Sequence, residues 1–461
     1  MAQTYDLTKG NVQNIILKFF FPMFFTNMLQ QIYMIADTAI VGKGLGDNAL
    51  AAVGNMSSLN FLVIGFSLGL SNVFSDSIAK EFGAKNYNGL RKSIASTIVL
   101  SVIVAILLTA FSVLFLPQFF VLIHTDPSIM KDCLTYGYIM FGGLAATMSY
   151  NICAAVLRAL GDSKTPFIAI IISTVMNIIL DIMFIFGLKT GVEGAAAATI
   201  ISQILSTVIC FFRLKKIEII SLSINDFKNN AHVYTDLFKN GLPMALMNSI
   251  TAVGCMVVQY FVNGLGVAYT SAYSACSKFI NLFMQPACTA GFTMSSFTSQ
   301  NYGAGKYERI QEGLKVCFSI AFISYILLGS VMFFFPEKLG SLMLTGEEPI
   351  ALTADYLPIC GAMLFLVDFL FIFRSAVQGL GRPVVPMISG IIEMFTRIAV
   401  IILFIGNFGY KATAYADVVA WIGALTLNLT AYHVIINKYL RHRSGTAFRF
   451  KRAFSFHKGC L

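Results

Sequence analysis

The residues that could do chemistry are a few acids set inside long apolar runs. Eighteen residues from Phe19 to Ala36 carry no charge, and the same run then takes in Asp37. A carboxylate inside a stretch long enough to cross a bilayer costs at least about 2.5 kcal/mol on insertion scales, so it is expected to serve a function. Tyr33 lies one helical turn before Asp37 on the same face. A second acid, Asp181, follows Asn177 at i, i+4 in an apolar run with no other ionisable residue. Two carboxylates facing each other at low dielectric cannot both stay charged and unpaired. A proton or Na⁺ has to be shared between them, which suits the pair to cation exchange, although two acids that merely lock helices together would have the same spacing.

Other intramembrane charges read less sharply. Glu393 and Arg397 stand at i, i+4 with the acid first, the favourable order for a structural ion pair within one helix. Lys278 either snorkels outward or meets Asp368, and Asp417 is expected at the outer end of the last helix. The nine cysteines contain no CxxC pair, the five histidines no metal-ligand spacing, and no glycine-rich phosphate loop is present. No catalytic site, cofactor or disulfide frame is therefore expected.

The elements that must hold these residues are membrane helices. Hydrophobic residues make up 57% of the chain and charged ones 12%, where soluble domains carry about 25% charged residues. Apolar runs predict twelve helices, near 15–41, 52–79, 93–118, 133–157, 166–187, 193–212, 241–263, 272–299, 313–335, 352–378, 384–406 and 412–436. Pro22 interrupts the first, where its missing N–H and its ring provide a hinge.

An even count puts both termini on one side. Most Lys and Arg fall on that side, including the 80–92 and 213–239 connections, Arg374, Arg382 and the tail from Lys438; Lys43, Lys131, Lys189, Lys338 and Lys411 fall on the other. The positive-inside rule then places the termini in the cytoplasm of a cell-membrane protein. The net charge of +10 sits in these short loops, so no nucleic-acid partner is expected.

The chain also repeats itself. VGKGLG (41–46) recurs as FVNGLG (261–266), EFGAKNY (81–87) as NYGAGKY (301–307), and VLRALG (156–161) as VQGLG (377–381), in register at an offset of 220. Six helices separate the copies, which predicts two parallel six-helix bundles with a cavity between them. The expected division is an N-lobe at 1–212, a cytoplasmic linker at 213–240, a C-lobe at 241–437 and a basic tail at 438–461. The repeat fails where the acids sit, since Asp37 maps to Val257 and Asp181 to Ile401.

With these motifs the sequence resembles the multidrug and toxic compound extrusion (MATE) transporters over essentially its whole length. QQIYMIADTAIVG (30–42), AAVGN (51–55), FGAKNY with YGAGKY, and ALGDSKTP (159–166) with GLGRPVVP (379–386) carry the likeness. The resemblance implies twelve helices in two bundles, and export of small amphiphilic, often cationic organic compounds in exchange for H⁺ or Na⁺. Within the family the first half resembles the DinF-like branch. That branch implies a coupling site at Tyr33, Asp37, Asn177, Asp181 and Thr199, with Asn151 lining the same cavity.

The NorM-like branch has acids on helices seven and ten. Here helix seven offers Gln259, while Asp368 matches the second acid, leaving it divided between substrate contact and a structural role. The protein is expected to act as a monomer in the bilayer. The rival readings are a flippase for lipid-linked saccharides, which would need several cavity cations where only Arg397 and Lys278 are candidates, and a channel or receptor.

Overall fold

The computed structural model describes residues 6–122, 125, 127–228 and 230–455, which are almost entirely helical. In the first half, α1 (Val12–Leu45), α2 (Asp47–Gly83) and α3 (Tyr87–Leu122) are long single helices. The fourth segment is a pair, α4 (Pro127–Gly142) and α5 (Leu144–Ala159), bent by 43° at Gly143. Then α6 (Lys164–Ile182) runs into a π-turn at Met183–Gly187, and α7 (Val192–Lys215) closes the lobe.

The second half repeats this order. It comprises α8 (Ala231–Asn263), α9 (Val267–Phe283), α10 (Gln285–Gly303) and α11 (Tyr307–Ser324), the last continuing through a π-turn at Tyr325–Gly329 into α12 (Ser330–Phe334). A short α13 (Pro336–Ser341) leads to α14 (Glu347–Ala362) and α15 (Leu364–Gly379), bent by 48° at Met363; α16 (Val384–Phe408) and α17 (Lys411–Ser455) complete the chain.

Among the described residues nine helices, or eleven segments with the two bent pairs, are long and apolar enough to cross a membrane. The eighth predicted segment differs from the expected single span. It breaks at Met284, just before Pro286, into α9 and α10. Its second part is polar because Ala287 and every residue from Thr293 to Asn301 are buried against protein, so lipid does not select its composition.

The linker is also shorter than the 213–240 read from the sequence. Helix α7 continues to Lys215 and α8 starts at Ala231, leaving two 3₁₀ turns at Glu218–Ile220 and Ile224–Phe227. Asp226 caps the second turn through the Ser223 backbone N–H, which holds its carboxyl below the usual range, and Arg91 of α3 pairs with it at 3.6 Å. Beyond Lys438 the chain remains helical as part of α17.

The repeat is visible in the backbone. Left-handed conformations occur at Gly46 and Gly266, at Lys85 and Gly305, at Gly161 and Gly381, and at Lys189 and Gly409, each pair 220 residues apart. Four turns that few L-residues adopt thus recur at one offset, on glycine in six of the eight cases.

The lobes meet at the end that carries the termini. Leu7, Ile16, Phe19 and Met23 of the N-terminal segment and α1 share a core with Met294, Phe297, Phe373 and Tyr432 of the C-lobe, and Leu70 and Phe74 of α2 share one with Leu237 and Ala245 of α8. At the opposite end the cores separate. One cluster, with Val41, Met56 and Phe120, is wholly N-lobe, and another, with Val258, Tyr356 and Trp421, is wholly C-lobe. The structure is therefore a V that opens away from the termini.

Candidate functional site

Three helices of the N-lobe assemble the acids. Helix α1 carries Tyr33 and Asp37, α6 carries Asn177 and Asp181, and α7 carries Thr199. The sequence folds locally this way because α6 keeps only Asn177, Asp181 and a few small or apolar residues on its buried face, while its other faces expose Ile171, Ile172, Val175 and Ile179. Asp181 is the penultimate residue before Met183–Gly187 widens into its π-turn, a local break often found beside functional residues.

The geometry joins all five residues of the expected coupling site. The carboxyls of Asp37 and Asp181 face each other within hydrogen-bonding reach. Tyr33 Oη and Thr199 Oγ1 are 3.1 Å apart. Asn177, oriented to satisfy its neighbours, donates Nδ2 to Asp181 Oδ2 at 2.9 Å and accepts the Thr199 N–H at 3.3 Å. Asp37 is 8% exposed and Asp181 0%, and among the described residues neither forms an ion pair.

Two unit charges about 4 Å apart repel by about 4 kcal/mol at an effective dielectric of about 20, so the two carboxyls disfavour being charged together unless a proton or cation lies between them. One oxygen of each acid, Asp37 Oδ1 and Asp181 Oδ1, has no protein donor. With the Tyr33 and Thr199 hydroxyls, the donor set is all oxygen and fits a proton or a hard monovalent cation.

A residue absent from the sequence reading joins this cluster. Tyr136 of α4 is buried within electrostatic reach of Asp37, Tyr33 and Asp181. Its only signal was a tyrosine in an apolar run, which most often packs without further role. Asn151 on α5 is partly exposed and makes no hydrogen bond to the cluster. Pro22 sits inside α1, where Thr26 Oγ1 donates to its carbonyl at 2.7 Å.

The C-lobe candidates form a different arrangement. The intrahelical Glu393–Arg397 contact is weak at 3.9 Å, and the stronger partners lie on other helices. Arg374 of α15 donates to Glu393 and, at 3.2 Å, to Ser389. Arg397 bonds Asp417 of α17 at 2.7 Å, and Tyr356 donates to the other oxygen of Asp417. Arg374, read from the sequence as a loop cation, is thus buried inside this network, and so is Asp417. Lys278 is exposed and does not pair with Asp368, whose two oxygens have no partner. Gln259 bonds Asn263 at 2.7 Å. The two arginines of the C-lobe span are neutralised, so they do not form the set of free cavity cations that a diphosphate lipid requires.

A cavity of about 1230 Å³ is found elsewhere. It lies on the flank of the N-lobe between α3, α5 and α7, lined by Val102, Ile106, Met148 and Phe211, and none of the acid cluster borders it. Its walls are mostly apolar and bring no acid pair together, so the chemistry remains with the acids.

Two repeated helical lobes that part on one face, with a facing pair of buried acids without a basic partner in one of them, define a polytopic membrane protein of the transporter class. The MatE family profile matches residues 22–183 and 243–403, one copy per lobe, and the chain belongs to the MATE family. It is similar to "Probable multidrug resistance protein YoeA" of Bacillus subtilis, 26% identical over 85% of this chain and 86% of that protein. It is also similar to "Multidrug export protein MepA" of Staphylococcus saprophyticus, 25% identical over 93% of this chain and 96% of that one. The solved structure "Crystal structure of MATE in the bent conformation" superposes with a TM-score of 0.88 at 20% identity, covering 96% of this chain and 98% of that chain, which shows the shared fold.

Proposed function

We propose that the protein is a secondary active efflux transporter of the cell membrane, exchanging H⁺ or Na⁺ for small amphiphilic, cationic organic compounds by alternating access. The observation that carries this reading is the facing, buried pair Asp37–Asp181, on two helices and, among the described residues, without a basic partner. The relatives named for multidrug resistance and export support the substrate class.

In this reading the pair is the coupling site. Protonation from the open side bridges Asp37 and Asp181, draws α1 against α6, and favours release of substrate to that side. Deprotonation after the lobes rock lets the next substrate bind. A proton is the simpler occupant, because the two carboxyls already touch. For Na⁺ to gain an amide oxygen, Asn177 would have to turn away from Thr199. The Tyr33 and Thr199 hydroxyls keep the remaining donors neutral.

The test is dye transport in everted vesicles driven separately by a pH gradient and by a Na⁺ gradient. Export driven by either gradient, abolished by Asp37→Asn, supports the reading. Gradient-independent dye movement, or no dye transport by the wild-type chain, contradicts it.

A further inference from the structure

Asp76 stands near the terminal-side end of α2, in an apolar span, and is 8% exposed. The hydrogen bonds it accepts all come from the other lobe. Ser295 Oγ and Ser299 Oγ of α10 donate to Oδ1 at 2.7 and 3.2 Å, and Gln378 Nε2 of α15 donates to Oδ2 at 2.5 Å. Among the described residues no Lys or Arg forms an ion pair with it.

The surrounding contact is as close as two backbones allow. A Cβ on Gly83 would fall 1.9 Å from the Gln300 carbonyl oxygen, and one on Gly303, its repeat mate, 2.0 Å from the Lys80 carbonyl oxygen. The Gln300 side chain accepts the Leu7 N–H at 3.0 Å and donates to the Ala159 carbonyl at 2.7 Å. Lys80 lies 5.7 Å over the Tyr302 ring. These contacts would tie the two lobes whatever the charge state of Asp76.

The acid adds something that neutral contacts do not. Hydrogen bonds to a carboxylate are about twice as strong as neutral ones, but they exist here only while α10 and α15 lie against α2. Once the lobes part, all three donors leave together and the carboxylate must find water. The repeat is broken at this point, since Asp76 corresponds to Ser296 while Ser75 and Ser295 match. The acceptor is therefore one-sided, with the N-lobe presenting the carboxylate and the C-lobe its donors.

We propose that Asp76 is a positioning residue of the transport cycle, a carboxylate latch that holds the terminal-side gate shut in this outward-opening state. The proposal rests on the alternating-access reading but not on the identity of the substrate. Asp76→Asn keeps the shape while removing the charge, so with its amide oxygen toward Gln378 and its NH₂ toward the serine hydroxyls every bond that remains is neutral and weaker. Ser295→Ala with Ser299→Ala keeps the acid and removes two of its donors.

The test uses the full chain with its native cysteines replaced by serine, carrying Asn88→Cys and Glu308→Cys. These are exposed repeat mates at the starts of α3 and α11, one in each lobe. Spin labels there report the gate distance in lipid vesicles without substrate or gradient. The parent is expected to show mainly one short distance. Asp76→Asn, and separately the double serine variant, should raise the ratio of long to short distances about tenfold. If Asp76→Asn does not fold, the double serine variant decides. Parent-like distances in the folded variants, or a lowered melting temperature with unchanged distances, would overturn the latch. Failure of the wild type to export dye while these variants open would instead reject the export reading and leave the latch standing.

Discussion

At the scale of single residues, the acid pair of the N-lobe and the ion-pair network of the C-lobe differ in their partners. Asp37 and Asp181 face each other with neutral neighbours, whereas Arg374, Glu393, Arg397 and Asp417 neutralise one another across three helices. Removing one member of a buried ion pair leaves its partner uncompensated and costs about 3–5 kcal/mol. Asp417→Asn is therefore expected to lower thermal stability strongly in detergent, and Arg397→Met with Asp417→Leu together to restore most of the loss. Normal stability of the single variant would show that the network does not hold the C-lobe helices together.

The acid pair was legible in the sequence because each acid stands alone in a long apolar run. Arg374 was not, since a cation near a helix end reads as a snorkelling loop residue. Asp76 was hidden for another reason: its donors lie 219 to 302 positions away on the other lobe, and no local pattern in α2 points to them.

At the scale of elements, the apolar runs marked most helices but not their breaks. The bends at Gly143 and Met363 fall inside continuous hydrophobic stretches, where membrane burial hides the interruption. α10 was the hardest to delimit, because a helix surrounded by protein has no need of an apolar surface. Pro22 was readable, and its role belongs to this scale. The helix continues through it, with the Thr26 hydroxyl on the Pro22 carbonyl. Pro22→Ala restores a backbone donor and relieves the ring clash, so α1 should stiffen between its terminal-side half, packed on the C-lobe, and its half carrying Asp37. The expected outcome is a protein that inserts and binds dye normally but exports it more slowly. An unchanged export rate would remove Pro22 from the mechanism.

At the scale of the whole molecule, the repeat at an offset of 220 was legible from short motifs and reappears as paired left-handed turns. The resemblance implied a V but not the side on which it opens, because that depends on which ends of the helices share a core. The basic residues on the terminal side predict its orientation, with that side in the cytoplasm. Lys228 is exposed in the linker between the lobes. In a cysteine-free background, Lys228→Cys should react with an impermeant thiol reagent only after the membrane is opened. Labelling in intact cells would reverse the orientation.

The central claim is that coupling belongs to the N-lobe acid pair and not to Asp368, the buried acid of the C-lobe that has no partner. The direct measurement compares dye binding and gradient-driven dye efflux of purified Asp181→Asn and Asp368→Asn in proteoliposomes. Asp181→Asn should bind dye and fail to export it, while Asp368→Asn should export with altered substrate preference. Wild-type export by Asp181→Asn, together with loss of export in Asp368→Asn, would place the coupling site in the C-lobe and contradict the account.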